Sequence, residues 1–221
     1  MSYYPVFLQL EGTSALVVGG GDVAQRKVET LLSYGASISI VSRELAPELK
    51  KRVENGSVRF LGRKMADAFF DGVFLVIAAT DDPELNHRVS QGAQSRGILV
   101  NAVDQPADCT FIVPSIVQRG DLMIAISTSG KSPAFAKKIR KELETEFGPE
   151  YAAFLTLMGE LRSALLGRGR PQEENSRIFH AVVASDILSA LAQNDMKAVS
   201  ERLGQILPAD MDATPILACI S

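Results

Sequence analysis

The run Ala15-Leu16-Val17-Val18-Gly19-Gly20-Gly21-Asp22-Val23-Ala24 constrains the chain more than any other stretch. A short apolar segment passes straight into three glycines and then into helical patterning to about Tyr34, where Gly35 predicts a C-terminal cap. Gly19, Gly21 and Ala24 stand at the spacing G-x-G-x-x-A. In a strand–turn–helix unit the first small residue makes the turn, the second lets a ligand's phosphates approach the backbone, and the third lets helix and strand pack closely. A helix starting at Asp22-Val23 aims free N–H groups and the positive end of its dipole at such an anion. A second apolar segment, Ser37 to Val41, closes the unit, so Gly19, Gly21, Asp22, Val23 and Ala24 read as a dinucleotide site. The same residues also satisfy a plainer reading, a glycine turn serving only close strand–helix packing.

Around this unit strand and helix patterns alternate, as in a parallel sheet covered on both faces. The expected strands are Val6–Leu10, Ala15–Val18, Ser37–Val41, Val58–Leu61, Val73–Ala79 and Ile98–Val103, with helices at Pro47–Glu54 and Pro83–Arg96. Asp82 is the expected N-cap of the latter. Beyond Cys109 a pair of strands, Phe111–Pro114 and Leu122–Ile126, is joined by the turn Gln118-Arg119-Gly120-Asp121. Helices follow at Pro133–Phe147, capped by Ser132, and at Pro149–Leu166, Arg177–Ala192 and Met196–Leu207. The fold class is therefore α/β: a Rossmann-like parallel sheet domain over 1–110, a small α+β segment over 111–147 and a helical C-terminal domain over 148–221.

A net charge of −3 argues against nucleic acid, whose phosphates require a basic surface. Cys109 and Cys219 are too few for a disulfide framework, and with His87 and His180 as the only histidines a resident metal is not expected. The N-terminal Met1-Ser2-Tyr3-Tyr4-Pro5 has no basic segment followed by an apolar core, and the longest apolar run is too short to span a bilayer. The expectation is a cytoplasmic protein with no membrane partner.

An open parallel sheet binds its ligand at the carboxyl ends of its strands. Three polar clusters fall there: Ser42-Arg43-Glu44, Thr80-Asp81-Asp82 and Asn101-Ala102-Val103-Asp104. Asp104, at the end of a late strand, is the leading catalytic candidate, because a hydride donor must also lose a proton and a carboxylate there can take it. Its alternative is a turn-capping Asp before Pro106. Where an acidic residue is expected about twenty residues past the glycines to hold a ribose, the chain has Ser42 and Arg43. Arg43 suits a 2′-phosphate and hence NADP, whereas Glu44 suits the ribose of NAD. Gly130-Lys131-Ser132 is not a P-loop, since Ala125 stands where its first glycine belongs and Pro133 removes a donor. Ser127, Thr128, Ser129 and Ser132, with Lys131, Lys137, Lys138, Arg140 and Lys141, read instead as a site for a polycarboxylate, or as a solvated basic helix face.

Several segments in order carry a family resemblance. They are Pro5-Val6-Phe7-Leu8-Gln9-Leu10, the glycine run with Arg26-Lys27, Ala78-Ala79-Thr80-Asp81-Asp82, Asn101-Ala102-Val103-Asp104, Phe111-Ile112-Val113-Pro114-Ser115, and Ser127 through Pro133. The chain resembles the precorrin-2 dehydrogenase and sirohydrochlorin ferrochelatase family, including the N-terminal half of bacterial siroheme synthases. The resemblance implies oxidation of precorrin-2 to sirohydrochlorin with NAD as acceptor and, in bifunctional members, insertion of ferrous iron, with cobaltous ion as the other candidate metal substrate. It implies that Asp104 serves as base for the dehydrogenation and again in the chelation step, and that Thr80 and Asp81 lie at the cofactor. Asn101, Ser115, Thr128, Ser129, Gly130, Lys131 and Ser132 then fall at the polycarboxylate substrate. It further implies a homodimer exchanging contacts through about Phe111–Phe147. Siroheme synthases carry a phosphorylatable serine where this chain has Thr128, and the methyltransferase half is expected on a separate protein. Readings from other classes are a module that binds NAD only to sense it, and a chelatase with little dehydrogenase activity.

Overall fold

The computed structural model describes residues 3–220; Met1 and Ser2 of the N-terminal reading lie outside them. Two compact units divide the chain, Met1–Val113 and Pro114–Ser221. The first boundary falls three residues beyond the expected one at 110, and the expected division at 147 lies inside the second unit.

Unit 1 is a five-stranded parallel sheet of β1 (Ser14–Val18), β2 (Ser37–Val41), β3 (Val58–Gly62), β4 (Leu75–Ala78) and β5 (Leu99–Ala102), in the order β3-β2-β1-β4-β5. Because successive residues of a strand point to opposite faces, β1 and β4 divide their side chains between two cores. Ala15, Val17, Leu75 and Ile77 meet Ala24, Val28 and Leu31 of α1 (Asp22–Ser33) and Leu49 of α2 (Pro47–Glu54). Leu16, Val18, Val76 and Ala78 meet Val89 and Ala93 of α3 (Pro83–Gln94) and Phe70. Gly35, at φ 77°, ends α1: its N–H bonds the Leu32 carbonyl and that of Ala36 bonds Leu31.

Two expected strands are corrected. Val6–Leu10 forms none, and Val6 and Phe7 are 59% and 70% exposed. The segment leads directly into β1, and β1 is paired on both sides, so no free edge lies beside it. Phe111–Pro114 does not pair with Leu122–Ile126. Thr110 instead exchanges bonds with Val100, its N–H reaching the Val100 carbonyl at 2.8 Å, and Asn101 Nδ2 donates to the Phe111 carbonyl at 3.1 Å. This segment thus covers the outer edge of β5.

In unit 2 a hairpin of β6 (Ser115–Arg119) and β7 (Leu122–Ile126) turns at Gly120-Asp121, and α4 (Pro133–Glu146) packs against β6. Leu157, Leu161 and Leu165 line one face of α5 (Glu150–Leu166) and meet α6 (Gln172–Val183), α7 (Ile187–Ala192), α8 (Met196–Ile206) and α9 (Thr214–Ala218) in one core. The helix expected over Arg177–Ala192 is thus two, separated by Ala184–Asp186, and α9 was not anticipated. Arg119 ties the hairpin to α4: its guanidinium donates to the terminal carbonyls of Phe147 and Glu144 at 2.8 and 2.9 Å. Among the described residues no helix is long and apolar enough to cross a membrane.

Replacing Arg119 by Met leaves two helix-terminal carbonyls without their charged donor. It should lower the stability of unit 2 by about 2 kcal/mol, read as a fall in the denaturant midpoint.

Candidate active site

The carboxyl ends of the strands of unit 1 open into a cleft of about 1750 Å³, lined by the glycine turn, the segments following β2 and β3, Thr80–Asp82 and Val103–Gln105. Pockets for small ligands span roughly 300–1,000 Å³, so a dinucleotide has room here. Of the expected residues, Gly19, Gly21, Asp22, Val23, Ser42, Arg43, Glu44, Thr80, Asp81 and Asp104 all line it. Ala24 does not; it is fully buried and acts by packing.

Backbone crowding dictates two of the three glycines. Gly19 sits at φ 123°, and a Cβ there would stand 2.1 Å from the Ala79 carbonyl oxygen. A Cβ on Gly20 would stand 2.1 Å from the Glu44 carbonyl oxygen, and the Ala46 N–H donates to the Gly20 carbonyl at 2.7 Å. Gly20 thus seats the loop between β2 and α2, a duty the G-x-G-x-x-A spacing does not express. Gly21 meets nothing within 4 Å, leaving its backbone open to a pyrophosphate. No side chain caps α1, and its Gln25 N–H closes on the Gly21 carbonyl at 2.9 Å, so the earlier N–H groups remain for an anion.

Sequence reasoning missed Asn86, which is 3% exposed. Its Oδ1 accepts from the Thr80 N–H at 3.1 Å and from Thr80 Oγ1 at 2.7 Å, and its Nδ2 donates to the Thr80 carbonyl at 3.0 Å. It fixes the loop after β4. Arg63 and Lys64 were missed as well; they follow β3 and line the same cleft as Arg43. Their signal was position alone, two cations at a strand's carboxyl end. The Ser42 N–H donates to the Gly62 carbonyl at 3.1 Å, so Arg43 and Arg63 leave the sheet from joined strand ends.

Asp104 is exposed at the cleft in a left-handed conformation, φ 60°, within a turn closed from the Gln105 N–H to the Ala102 carbonyl. Asn101 is turned away, its amide holding Phe111 and Cys109. Burial pushes the Cys109 thiol up, with nearby Asp108 adding to the effect and a hydrogen bond from the Ala102 backbone opposing it. Burial, helped by repulsion from Arg26, lowers the Lys27 ammonium below its usual range. Among the described residues no group of three or more His, Cys, Asp or Glu side chains could hold a metal ion.

Unit 2 carries the remaining candidates. Ser115 opens β6. In the loop before α4, Thr128 Oγ1 accepts from the Ser132 N–H, Ser127 Oγ from the Ser129 N–H and Ser132 Oγ from the Phe135 N–H. Each hydroxyl keeps a proton to donate. Ser129 and Gly130 are both left-handed, at φ 52° and 77°. The cationic helix face is partly neutralised, because Lys138 and Arg140 pair with Glu142 and Glu144.

Two family models match this chain: "Putative NAD(P)-binding" over residues 6–115, and "Sirohaem biosynthesis protein central" over 119–146. The chain belongs to the sirohaem-biosynthesis family. Its relatives include the siroheme synthase of Methylobacillus flagellatus, 39% identical over 213 residues, and siroheme synthase 3 of Aeromonas hydrophila subsp. hydrophila, 39% identical over 211. The matches cover 93% and 95% of this chain but 46% and 45% of those proteins, so the chain spans about half the length of the curated relatives it matches. Among solved structures, "SirC, precorrin-2 dehydrogenase" superposes with a TM-score of 0.77 at 27% identity, over 92% of this chain and 98% of that one. The nucleotide site is therefore a nicotinamide-dinucleotide site of this family.

Two checks follow. Gly19→Ala should cost about 3 kcal/mol or more through the clash and the positive φ. Gly21→Ala should change stability by less than about 1 kcal/mol while weakening nicotinamide-dinucleotide binding ~10-fold or more, because the added methyl occupies the phosphate approach; melts and calorimetric titration separate the two. At pH 8, Cys109, with its raised thiol, should alkylate at least ~10-fold more slowly than exposed Cys219, measured by peptide mass spectrometry.

Proposed function

We propose that this protein is a precorrin-2 dehydrogenase, oxidising precorrin-2 to sirohydrochlorin with NAD as acceptor. The observation that carries the reading is an exposed carboxylate, Asp104, presented in a left-handed turn after the last strand of the sheet, on the rim of a dinucleotide-sized cleft whose floor is bare glycine backbone. Extensive likeness to a chain described as a precorrin-2 dehydrogenase supports it. The bound nicotinamide supplies the hydride acceptor; Asp104 takes the proton that the substrate loses with the hydride, leaving sirohydrochlorin, reduced cofactor and a proton. Arg43, standing where NAD-specific sites carry an acid, makes NADP the second arm of the test. The hydroxyl-rich loop Ser127–Ser132 with Lys131, and Ser115 in the same unit, offer donors suited to the substrate's carboxylates. The reading carries a cytoplasmic homodimer formed through about Phe111–Phe147, on which Phe135 is 53% exposed. The three-part division at 110 and 147 remains its functional outline.

Anaerobic turnover of precorrin-2 with NAD, then NADP, followed by ferrous or cobaltous ion added to the product, tests the proposal. Oxidation dependent on nicotinamide is expected, and Asp104→Ala should lower kcat by about 10²-fold or more while NAD still binds. NAD binding without turnover would favour a sensing module, and metal insertion into supplied sirohydrochlorin without NAD would favour a chelatase.

A further inference from the structure

The loop that presents Asp104 is fastened to α3 at successive points. Gln105 Nε2 donates to the carbonyl of Pro83, the first residue of α3, at 3.1 Å. After the 3-10 turn Pro106–Asp108, the Asp108 carboxylate meets His87 Nδ1 at 2.7 Å, and Ser90 Oγ donates to the Asp108 carbonyl. Ser90 is fully buried, and Gln94 Nε2 donates to its hydroxyl at 2.8 Å. Pro83, His87, Ser90 and Gln94 recur at three- and four-residue intervals, one stripe of the helix. An ionised carboxylate only accepts, so the His87 Nδ1 carries the proton and donates.

We propose that His87 and Ser90 are positioning residues for Asp104: through Asp108 they hold the loop that keeps this carboxylate in its left-handed conformation on the cleft. This rests on the reading of Asp104 as the base. A non-glycine residue at positive φ persists only where its surroundings determine it, and the stripe on α3 provides that determination from outside the cleft. His87 is exposed enough, with 46% of its side chain accessible, that its pair with Asp108 contributes little to global stability. Its consequence is geometric instead. The same helix grips the loop after β4 through Asn86, one residue earlier, so α3 sets both cleft loops from adjacent positions.

The test is anaerobic steady-state turnover of precorrin-2 by the full chain, comparing wild type with H87A, H87N, S90A and D104A, alongside thermal melts. The geometry predicts that H87A lowers kcat about 10-fold or more with the KM for NAD within about twofold and melting little changed, and that S90A, which removes a buried hydroxyl, lowers kcat as much at a temperature well below its somewhat reduced melting point. H87N should recover most of the activity, because its amide nitrogen takes the place of Nδ1. Wild-type kcat in H87A, a loss that H87N does not relieve, or a loss that merely follows a lowered melting temperature would overturn the proposal. D104A separates the two levels: full turnover in D104A removes the reading of Asp104 itself, whereas an inactive D104A beside an unimpaired H87A removes only the positioning role.

Discussion

The structure of the nucleotide-binding unit depends on how closely backbones meet at the carboxyl edge of its sheet. As β1 ends, the Gly19 N–H donates to the Val41 carbonyl at 2.9 Å and the Ala79 N–H to the Val18 carbonyl at 2.7 Å. The central strand therefore stays bonded to both neighbours while the chain turns. No Cβ fits between Gly19 and Ala79, or between Gly20 and Glu44. With side chains excluded from these contacts, the cleft floor is backbone, and Gly21 alone of the three faces open space. The signature glycines thus divide their duties: two let loops close on one another, and the third admits the ligand.

The second organising element is α3. Its start follows from local chemistry, since the Asp82 carboxylate accepts from the Leu85 N–H at 3.0 Å and Pro83 occupies the first turn. From that start the helix sends Asn86 to one cleft loop and His87 and Ser90 to the next. A helix whose core-facing work is done by Val89 and Ala93 thereby also sets the geometry of the polar edge.

What was legible in the sequence divides along the range of the interactions. The glycine turn, the alternation of strands and helices, and the caps Asp82 and Ser132 were read correctly because each depends on residues within a few positions of one another. Contacts distant in sequence were not legible. His87 and Asp108 are separated by 21 residues, and nothing local to either names the other. Val6–Leu10 has a strand's composition, yet strandhood requires an edge, and β1 offers none. Phe111–Pro114 failed for a related reason: Thr110 and Asn101 had already committed the segment to β5. Position at strand ends anticipated that Arg43, Glu44, Thr80, Asp81 and Asp104 would line the cleft. Asn101 was expected from its strand position to face a ligand, whereas its amide nitrogen donates to the Phe111 carbonyl.

The central claim is that the cleft brings a substrate C–H bond to a bound nicotinamide beside Asp104. The most direct measurement is a single anaerobic turnover of precorrin-2 deuterated at the carbon that loses hydride, with the nicotinamide product analysed by mass spectrometry. The account predicts reduced cofactor carrying the deuterium, in amounts matching the sirohydrochlorin formed. Sirohydrochlorin appearing with unlabelled or unreduced cofactor would contradict it.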